Sequence, residues 1–203
     1  MKSILENTIS SNKKYTSNGK VASYIPELKK ANQDDLGICI IDKNNNMYCA
    51  GDYNKKFTIQ SISKPIVLAL ALMDNEWEYV FSKVGMEPSG DPFNSIMKLE
   101  TNDTKKPCNP MINAGAIATT ALIKGKDLQE KEERMISFFR KLAKNDSLQI
   151  NEDVYKSEKL TGDRNRAMGY LLKNDGFIEG DVEEVLDLYF KQCSIEIDTV
   201  DLA

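Results

Sequence analysis

A nearly unbroken apolar run over residues 66–73, soon after a predicted β-hairpin, constrains the fold of this chain more than any other feature. It favours a helix from about Ser61 to Asn75, and the lack of a polar face predicts burial on all sides. The hairpin is indicated by two β-prone segments, 37–42 and 47–52, on either side of a polar turn at 43–46. We therefore expect a hairpin near the N-terminus and this helix at the centre of the fold.

Helical spacing recurs along the rest of the chain. It predicts two short helices within residues 1–28, joined by a loop around Gly19, and a helix over 126–144 that turns Leu142 toward the core. Further helices are expected over 78–84, 113–123, 164–172 and 182–193. Because strands come early and helices late, the pattern is typical of an α+β fold. We expect residues 1–203 to form a single catalytic domain.

The last nine residues, 195–203, contain no helix cap or closing element that the sequence pattern reveals. Two hairpin strands alone make a marginal sheet. We therefore expect the sheet to be incomplete within residues 1–203, either because another chain completes it or because the sequence is C-terminally truncated.

The chemistry open to the chain is limited first by the absence of histidine, which excludes Ser-His-Asp and Cys-His catalysis and His-ligated zinc. A net charge of -4 and a pI near 5.1 argue against nucleic acid and anionic membranes as partners. The cysteines form no C-x-x-C pair and are expected to be free thiols: Cys39, Cys49, Cys108 and Cys193. No apolar leader or membrane-length segment is visible, so a cytoplasmic protein is predicted.

The S-x-x-K motif occurs five times, but only the match from Ser61 to Lys64 opens an apolar helix directly after a hairpin. The helix N-terminus would favour negative charge on the serine oxygen. Burial would lower the pKa of the Lys64 amine, which could then take the serine proton. The alternative is that Ser61 or Ser63 merely caps the helix and that Lys64 lies at the surface. The pattern alone leaves both open.

Five longer motifs, in one order along residues 24–197, resemble the glutaminase family. They are FTIQSISKP at 57–65, EPSG at 87–90, NPMINAGAI at 109–117, SE at 157–158 with GDRN at 162–165, and YF at 189–190 with QCSI at 192–195. The resemblance implies a serine β-lactamase-like fold and hydrolysis of L-glutamine to L-glutamate and ammonia. It implies no metal or organic cofactor, and a homo-oligomer, dimer or tetramer, in the full-length form.

The resemblance also implies residue roles. Ser61 would be the nucleophile that forms a γ-glutamyl ester and would give one oxyanion N–H, Lys64 would be the general base, and Tyr189 would relay a proton to the leaving ammonia. The implied substrate contacts are Tyr24, Gln60, Ser61, Asn113, Glu158, Asn165 and Tyr189. These types suit a free amino acid, because its ammonium needs a carboxylate such as Glu158 and its carboxylate needs neutral donors. Ser63 has no role here, so Ser63→Ala is expected to be mild.

One family element is missing, since no K-[ST]-G triplet occurs in the 203 residues. Two alternatives to a glutaminase are therefore kept. The first is an inactive truncated remnant that serves only as an association module. The second is a penicillin-interacting S-x-x-K enzyme, which the lack of a suitable S-x-N triplet disfavours.

Overall fold

The structure, a computed structural model, describes residues 1–101 and 103–203 and is mainly helical. The α-helices are α1 (Lys2–Asn12), α2 (Ser63–Asp74), α3 (Trp77–Lys83), α4 (Met97–Thr101), α5 (Asn113–Thr120), α6 (Leu128–Ala143), α7 (Glu152–Thr161), α8 (Asp163–Asn174), α9 (Val182–Cys193) and α10 (Thr199–Leu202). The strands are β1 (Gly37–Ile41), β2 (Met47–Gly51), β3 (Phe57–Thr58), β4 (Gln149–Ile150) and β5 (Ile195–Ile197). Short 3₁₀ segments cover Lys13–Asn18, Pro26–Lys30 and Gln60–Ile62.

The predicted hairpin is confirmed as the antiparallel pair β1 and β2. Its turn is held by Asp42, whose Oδ1 accepts from the backbone N–H groups of Asn44 and Asn46. The register sets Cys39 directly opposite Cys49 with Cα atoms 4.2 Å apart, and the structure joins them as a disulfide. The expectation of free thiols is therefore wrong for this pair. Antiparallel pairing brought together two residues that are 10 apart in sequence.

A second sheet, which the sequence did not predict, has the strand order β3-β5-β4 and is antiparallel throughout. Its central strand is β5, in the segment expected to lack a closing element. The next residues form α10, whose N-terminus has a capping box between Asp198 and Asp201. Two predictions are thus wrong: strands do not come only early, and residues 195–203 do contain a cap. These strands are two or three residues long, too short for any alternation to appear in the sequence.

The helix that is buried along its length is α5 rather than α2. Residues 114–120 of α5 are all buried. On α2, in contrast, Pro65, Ala69 and Met73 form an exposed stripe, and Met73 is 70% exposed. The predicted burial of α2 on all sides is therefore wrong. An apolar composition gives no information on which face of a helix is covered when every face is apolar.

The amphipathic helix α6 is confirmed, with Met135, Ile136 and Phe139 buried on the inner face. Leu142 was expected to join them, but its side chain is 54% exposed. It lies one turn beyond Phe139 and lines a pocket that also contains Leu148. The inner face of α6 thus extends further along the helix than the elements that cover it.

Candidate active site

Ser61 lies in the 3₁₀ turn Gln60–Ile62, which runs directly into α2. The N-cap position of α2 is occupied by Ile62, so neither Ser61 nor Ser63 caps this helix. In a 3₁₀ turn, residues three apart in sequence lie on one face. Lys64, three residues after Ser61, is the second residue of α2, so the S-x-x-K motif spans the junction between the 3₁₀ turn and the α-helix.

Gln60, the residue before Ser61, has a backbone φ of 50°. This left-handed conformation is rare for residues other than glycine and occurs where neighbouring contacts enforce it. The Gln60 side chain is held at both ends: Oε1 accepts from the Tyr24 hydroxyl and Nε2 donates to Thr58 Oγ1, each at 3.0 Å. The chain thus enters the Ser61 turn through a constrained residue.

Lys64 is 3% exposed, which excludes the alternative of a surface lysine. Its Nζ donates to the Met111 carbonyl oxygen and to Asn113 Oδ1, both at 2.8 Å. Burial lowers the pKa of the Lys64 amine. A neutral amine has two hydrogens and one lone pair, so these acceptors take both hydrogens and leave the lone pair to receive a proton. The arrangement suits a general base.

A cavity of about 320 Å³ opens beside Ser61. All seven residues that the resemblance implies as substrate contacts line it: Tyr24, Gln60, Ser61, Asn113, Glu158, Asn165 and Tyr189. They belong to the segment before the first strand, the Ser61 turn and helices α5, α7, α8 and α9. Only the tertiary fold brings these segments together, and the individual roles of the residues stay predictions.

Asn113 lies at the start of α5, where it joins the Lys64 amine to the cavity wall. Its Nδ2 donates to Asn165 Oδ1 at 3.1 Å, while its Oδ1 accepts from Lys64. The turn before α5 packs closely over Gly115: a Cβ there would lie 1.9 Å from the Asn109 carbonyl oxygen. Glycine at this position therefore allows the close approach that sets Asn113 in the wall.

The ionisable groups of the cavity are perturbed mainly by burial. Burial raises the pKa of the Glu158 carboxyl to about 7 and that of the Tyr24 phenol to about 12. Tyr189 is fully buried against the Cys193 thiol, and its pKa is raised well above the usual value. At neutral pH both phenols are therefore protonated donors, while Glu158 lies near its midpoint. A bound cation would shift Glu158 to the ionised form.

Sequence reasoning missed several residues of the cavity wall. Arg164 and Cys193 lie within the GDRN and QCSI motifs, so those motifs could have pointed to them. Phe93 and Asn94 had no such signal. The Phe93 ring centroid lies 5.8 Å from Lys64 Nζ, and Arg164 Nε donates to the Asn94 carbonyl oxygen at 2.6 Å.

The structure describes residues 1–101 and 103–203, and two absences can be stated for them. Within that part of the chain, no three Cys, Asp or Glu side chains are grouped so that they could hold a metal ion. Among the same described residues, no helix has both the length and the apolar character needed to cross a membrane.

Comparison of sequences points to one family. Residues 19–203 match the sequence profile described as Glutaminase. A protein named Glutaminase from Clostridioides difficile is 79% identical over 200 residues, which cover 98% of this chain and 65% of that protein. Glutaminase 2 from Clostridium perfringens is 58% identical over 203 residues, which cover 100% of this chain and 67% of that protein. The chain thus spans about two thirds of the length of these curated relatives.

Solved structures agree. The crystal structure of a probable glutaminase from Bacillus subtilis has a TM-score of 0.90 and 40% identity, over 100% of this chain and 62% of that one. A probable glutaminase from Bacillus subtilis complexed with 6-diazo-5-oxo-L-norleucine has a TM-score of 0.85 and 38% identity, over 98% and 60% of the two chains. The neighbours have the serine β-lactamase-like fold, which confirms the fold prediction.

Proposed function

The chain belongs to the glutaminase family, and from this premise we propose that it carries the site that hydrolyses L-glutamine to L-glutamate and ammonia. One observation supports the proposal above all. The seven residues implied as substrate contacts line one cavity, and the buried Lys64 amine is hydrogen-bonded to one of them, Asn113.

In the proposed first half-reaction, Ser61 Oγ attacks the side-chain amide carbon of glutamine and Lys64 Nζ takes the serine proton. The tetrahedral intermediate carries its negative charge on the former carbonyl oxygen, toward which the Ser61 N–H would donate. When the carbon–nitrogen bond breaks, the amide nitrogen takes a proton and leaves as ammonia. Ser61 is left as a γ-glutamyl ester.

In the proposed second half-reaction, water attacks the ester and Lys64 accepts a proton from it. Collapse of the second intermediate releases glutamate and returns the proton to Ser61 Oγ. The same amine therefore acts once as base and once as acid in each half-reaction. Burial lowers the pKa of the Lys64 amine, which makes its neutral form more available as a base and its ammonium form a stronger acid.

Tyr189 is proposed to pass a proton to the departing nitrogen. Its pKa is raised well above the usual value, so a lasting phenolate would be costly in this cavity. We therefore assign it a relay role, in which it gives one proton as it receives another from the Lys64 ammonium. Net proton donation remains with Lys64.

Substrate recognition is proposed to depend on charge. Glu158 would pair with the α-ammonium of glutamine, which would stabilise its ionised form in the buried cavity. Asn113 and Asn165 would supply amide N–H donors for the α-carboxylate, and Tyr24 would join them by turning its hydroxyl from Gln60 Oε1 to the substrate. A β-lactam carries a carboxylate but no free ammonium in this position, so Glu158 would repel it. This charge argument disfavours the penicillin-interacting alternative.

The experiment that tests the function uses 6-diazo-5-oxo-L-norleucine, the compound in the Bacillus subtilis complex, as an electrophilic glutamine analogue. We expect mass spectrometry to find it on Ser61, with free glutamine protecting against labelling, and we expect no labelling by a fluorescent penicillin. Penicillin labelling without glutamine protection would favour the alternative enzyme. Absence of both labelling and ammonia release would favour the inactive association module.

Three broader expectations also stay proposals: one catalytic domain over residues 1–203, a cytoplasmic location, and a dimer or tetramer for the full-length form. The resemblance to glutaminases supports the assembly. Light scattering coupled to size-exclusion chromatography would measure its mass directly.

A further inference from the structure

A buried polar network, formed by the side chains of Thr120, Gln192 and Ser63, leads from α5 through α9 to the Ser61 turn. Thr120 Oγ1 donates to Gln192 Oε1 at 2.8 Å, and Gln192 Nε2 donates to Ser63 Oγ at 3.2 Å. Ser63 Oγ in turn donates to the Gln60 carbonyl oxygen at 2.7 Å. Thr120, Gln192 and Ser63 are all fully buried. The hydrogen bonds thus end on the backbone of the residue before Ser61.

Each hydrogen bond of the polar network is donated in the same direction, from Thr120 toward Gln60. The Ser63 hydroxyl has one hydrogen, which the Gln60 carbonyl takes, so only its lone pairs are left to face Gln192 Nε2. The Gln192 amide must then present its oxygen to Thr120, whose hydroxyl hydrogen lies between two acceptors, Gln192 Oε1 at 2.8 Å and the Ala116 carbonyl oxygen at 2.9 Å. Because these groups are buried, removing one member leaves its neighbour without water to replace it.

The last hydrogen bond of the polar network holds the carbonyl oxygen of a constrained residue, Gln60. Gln60 has a φ of 50°, and such a conformation persists only where the surroundings determine it. The Gln60 carbonyl and the Ser61 N–H belong to the same planar peptide group. The Gln60 oxygen accepts from the Ser63 backbone N–H and from the Ser63 hydroxyl. Both hydrogen bonds therefore set the direction of the Ser61 N–H, and the hydroxyl is the one that the side chain supplies.

From this geometry we infer that Ser63 and Gln192 are positioning residues, which fix the peptide plane between Gln60 and Ser61 and so aim the Ser61 N–H at the oxyanion. The inference rests on the proposed function, because the oxyanion belongs to that reaction. It reverses the expectation from sequence that Ser63→Ala is mild. Neither positioning residue lines the described cavity wall, so the effect should fall on turnover more than on binding.

The test compares two adjacent threonines of α5. Thr120→Val removes the hydroxyl from the member of the polar network that is farthest from Ser61, whereas Thr120→Ser keeps it. The matched control is Thr119→Val, since Thr119 is equally buried and its hydroxyl donates to the Gly115 carbonyl oxygen at 2.8 Å, which is not part of the polar network. Loss of an oxyanion donor typically costs about 10²- to 10³-fold in kcat, so we expect a misaimed donor to cost about tenfold in Ser63→Ala and about threefold in Thr120→Val.

The expected pattern is specific. KM stays within about twofold of wild type while kcat falls, Thr120→Ser restores kcat, and Thr119→Val keeps it. Hydrogen exchange of the peptide 57–63 should be faster in Ser63→Ala and Thr120→Val than in wild type or Thr119→Val. Unchanged kcat and unchanged hydrogen exchange in Ser63→Ala and Thr120→Val would overturn the inference. Equal losses of kcat in Thr120→Val and Thr119→Val would also overturn it, because they would indicate general destabilisation.

The result also separates this inference from the proposed function. If the wild-type protein releases no ammonia from glutamine, the proposed function fails. The hydrogen-exchange comparison still decides whether the polar network holds the Ser61 turn. Faster exchange in Ser63→Ala and Thr120→Val, but not in Thr119→Val, supports the inference. Equal exchange in all variants overturns it. If wild type is active and Ser63→Ala is equally active, the function stands and the inference is wrong.

Discussion

Lys64 Nζ lies 2.8 Å from Asn113 Oδ1, so a single hydrogen bond joins the buried amine to the wall of the cavity. Asn113 also donates to Asn165 at 3.1 Å, which ties the same side chain to a second helix. The amine is therefore oriented by a residue that would itself contact substrate. Changes at Asn113 should consequently affect both binding and proton transfer.

The first prediction concerns the Ser-Lys pair. Ser61→Ala should abolish ammonia release from glutamine, and Lys64→Ala should lower it at least about 10²-fold, because a serine hydroxyl without a base is a poor nucleophile. A coupled assay for ammonia measures both. Ser137→Ala, an exposed serine on α6, serves as control and should keep full turnover. Wild-type turnover by the Ser61 variant would remove this serine from the mechanism.

The second prediction tests the Asn113 contact through pH. Asn113→Asp keeps the shape of the side chain but sets a carboxylate beside the amine, and this negative charge raises the pKa of Lys64. The amine then stays protonated up to a higher pH, so the acidic limb of the pH profile of kcat should move to higher pH. Asn113→Ala removes the contact without adding charge. An unmoved acidic limb in the aspartate variant would show that Lys64 is not the titrating base.

The third prediction concerns Glu158 and binding. Burial raises the pKa of its carboxyl to about 7, so the neutral form becomes dominant as pH falls below that value. Since the proposed ammonium contact needs the carboxylate, glutamine affinity should drop about tenfold for each pH unit well below the pKa. Calorimetry on Ser61→Ala would measure this without turnover. Adding Glu158→Gln should weaken binding and remove the pH dependence that the carboxyl causes.

The fourth prediction concerns Glu158 and stability. Its folded-state pKa, about 7, lies above the ordinary value of 4.5, so the carboxyl costs no stability below pH 4.5. The cost grows as pH rises from 4.5 to 7 and is complete above 7. Glu158→Gln should therefore raise the free energy of unfolding at pH 8 by on the order of 3 kcal/mol, with the gain vanishing near pH 4.

Urea denaturation at the two pH values tests this prediction. The control Glu133→Gln changes an exposed residue and should leave the difference between the two pH values as it is in wild type. A gain of equal size at both pH values would mean that the Glu158 substitution acts through packing instead of charge.

Local pattern was sufficient for much of the fold. The α9 prediction, 182–193, has the bounds that the structure shows, and the hairpin strands differ from prediction by one residue each. Amphipathic spacing and turn composition depend on residues close together in sequence, and these are visible without any tertiary contact. The candidate site residues were also available from the sequence, because all of them except Tyr24 belong to one of the five motifs. Tyr24 lies well before the first motif.

Only the tertiary structure decided what surrounds those residues. It buried Lys64 behind Asn113, covered α5 instead of α2, and made the short strand β5 the centre of a sheet. Burial, strand pairing and pKa depend on contacts between segments far apart in sequence, and no local pattern contains them. The amino-acid sequence thus determined which side chains were available for chemistry, while packing among α2, α5, α7, α8 and α9 determined their environment.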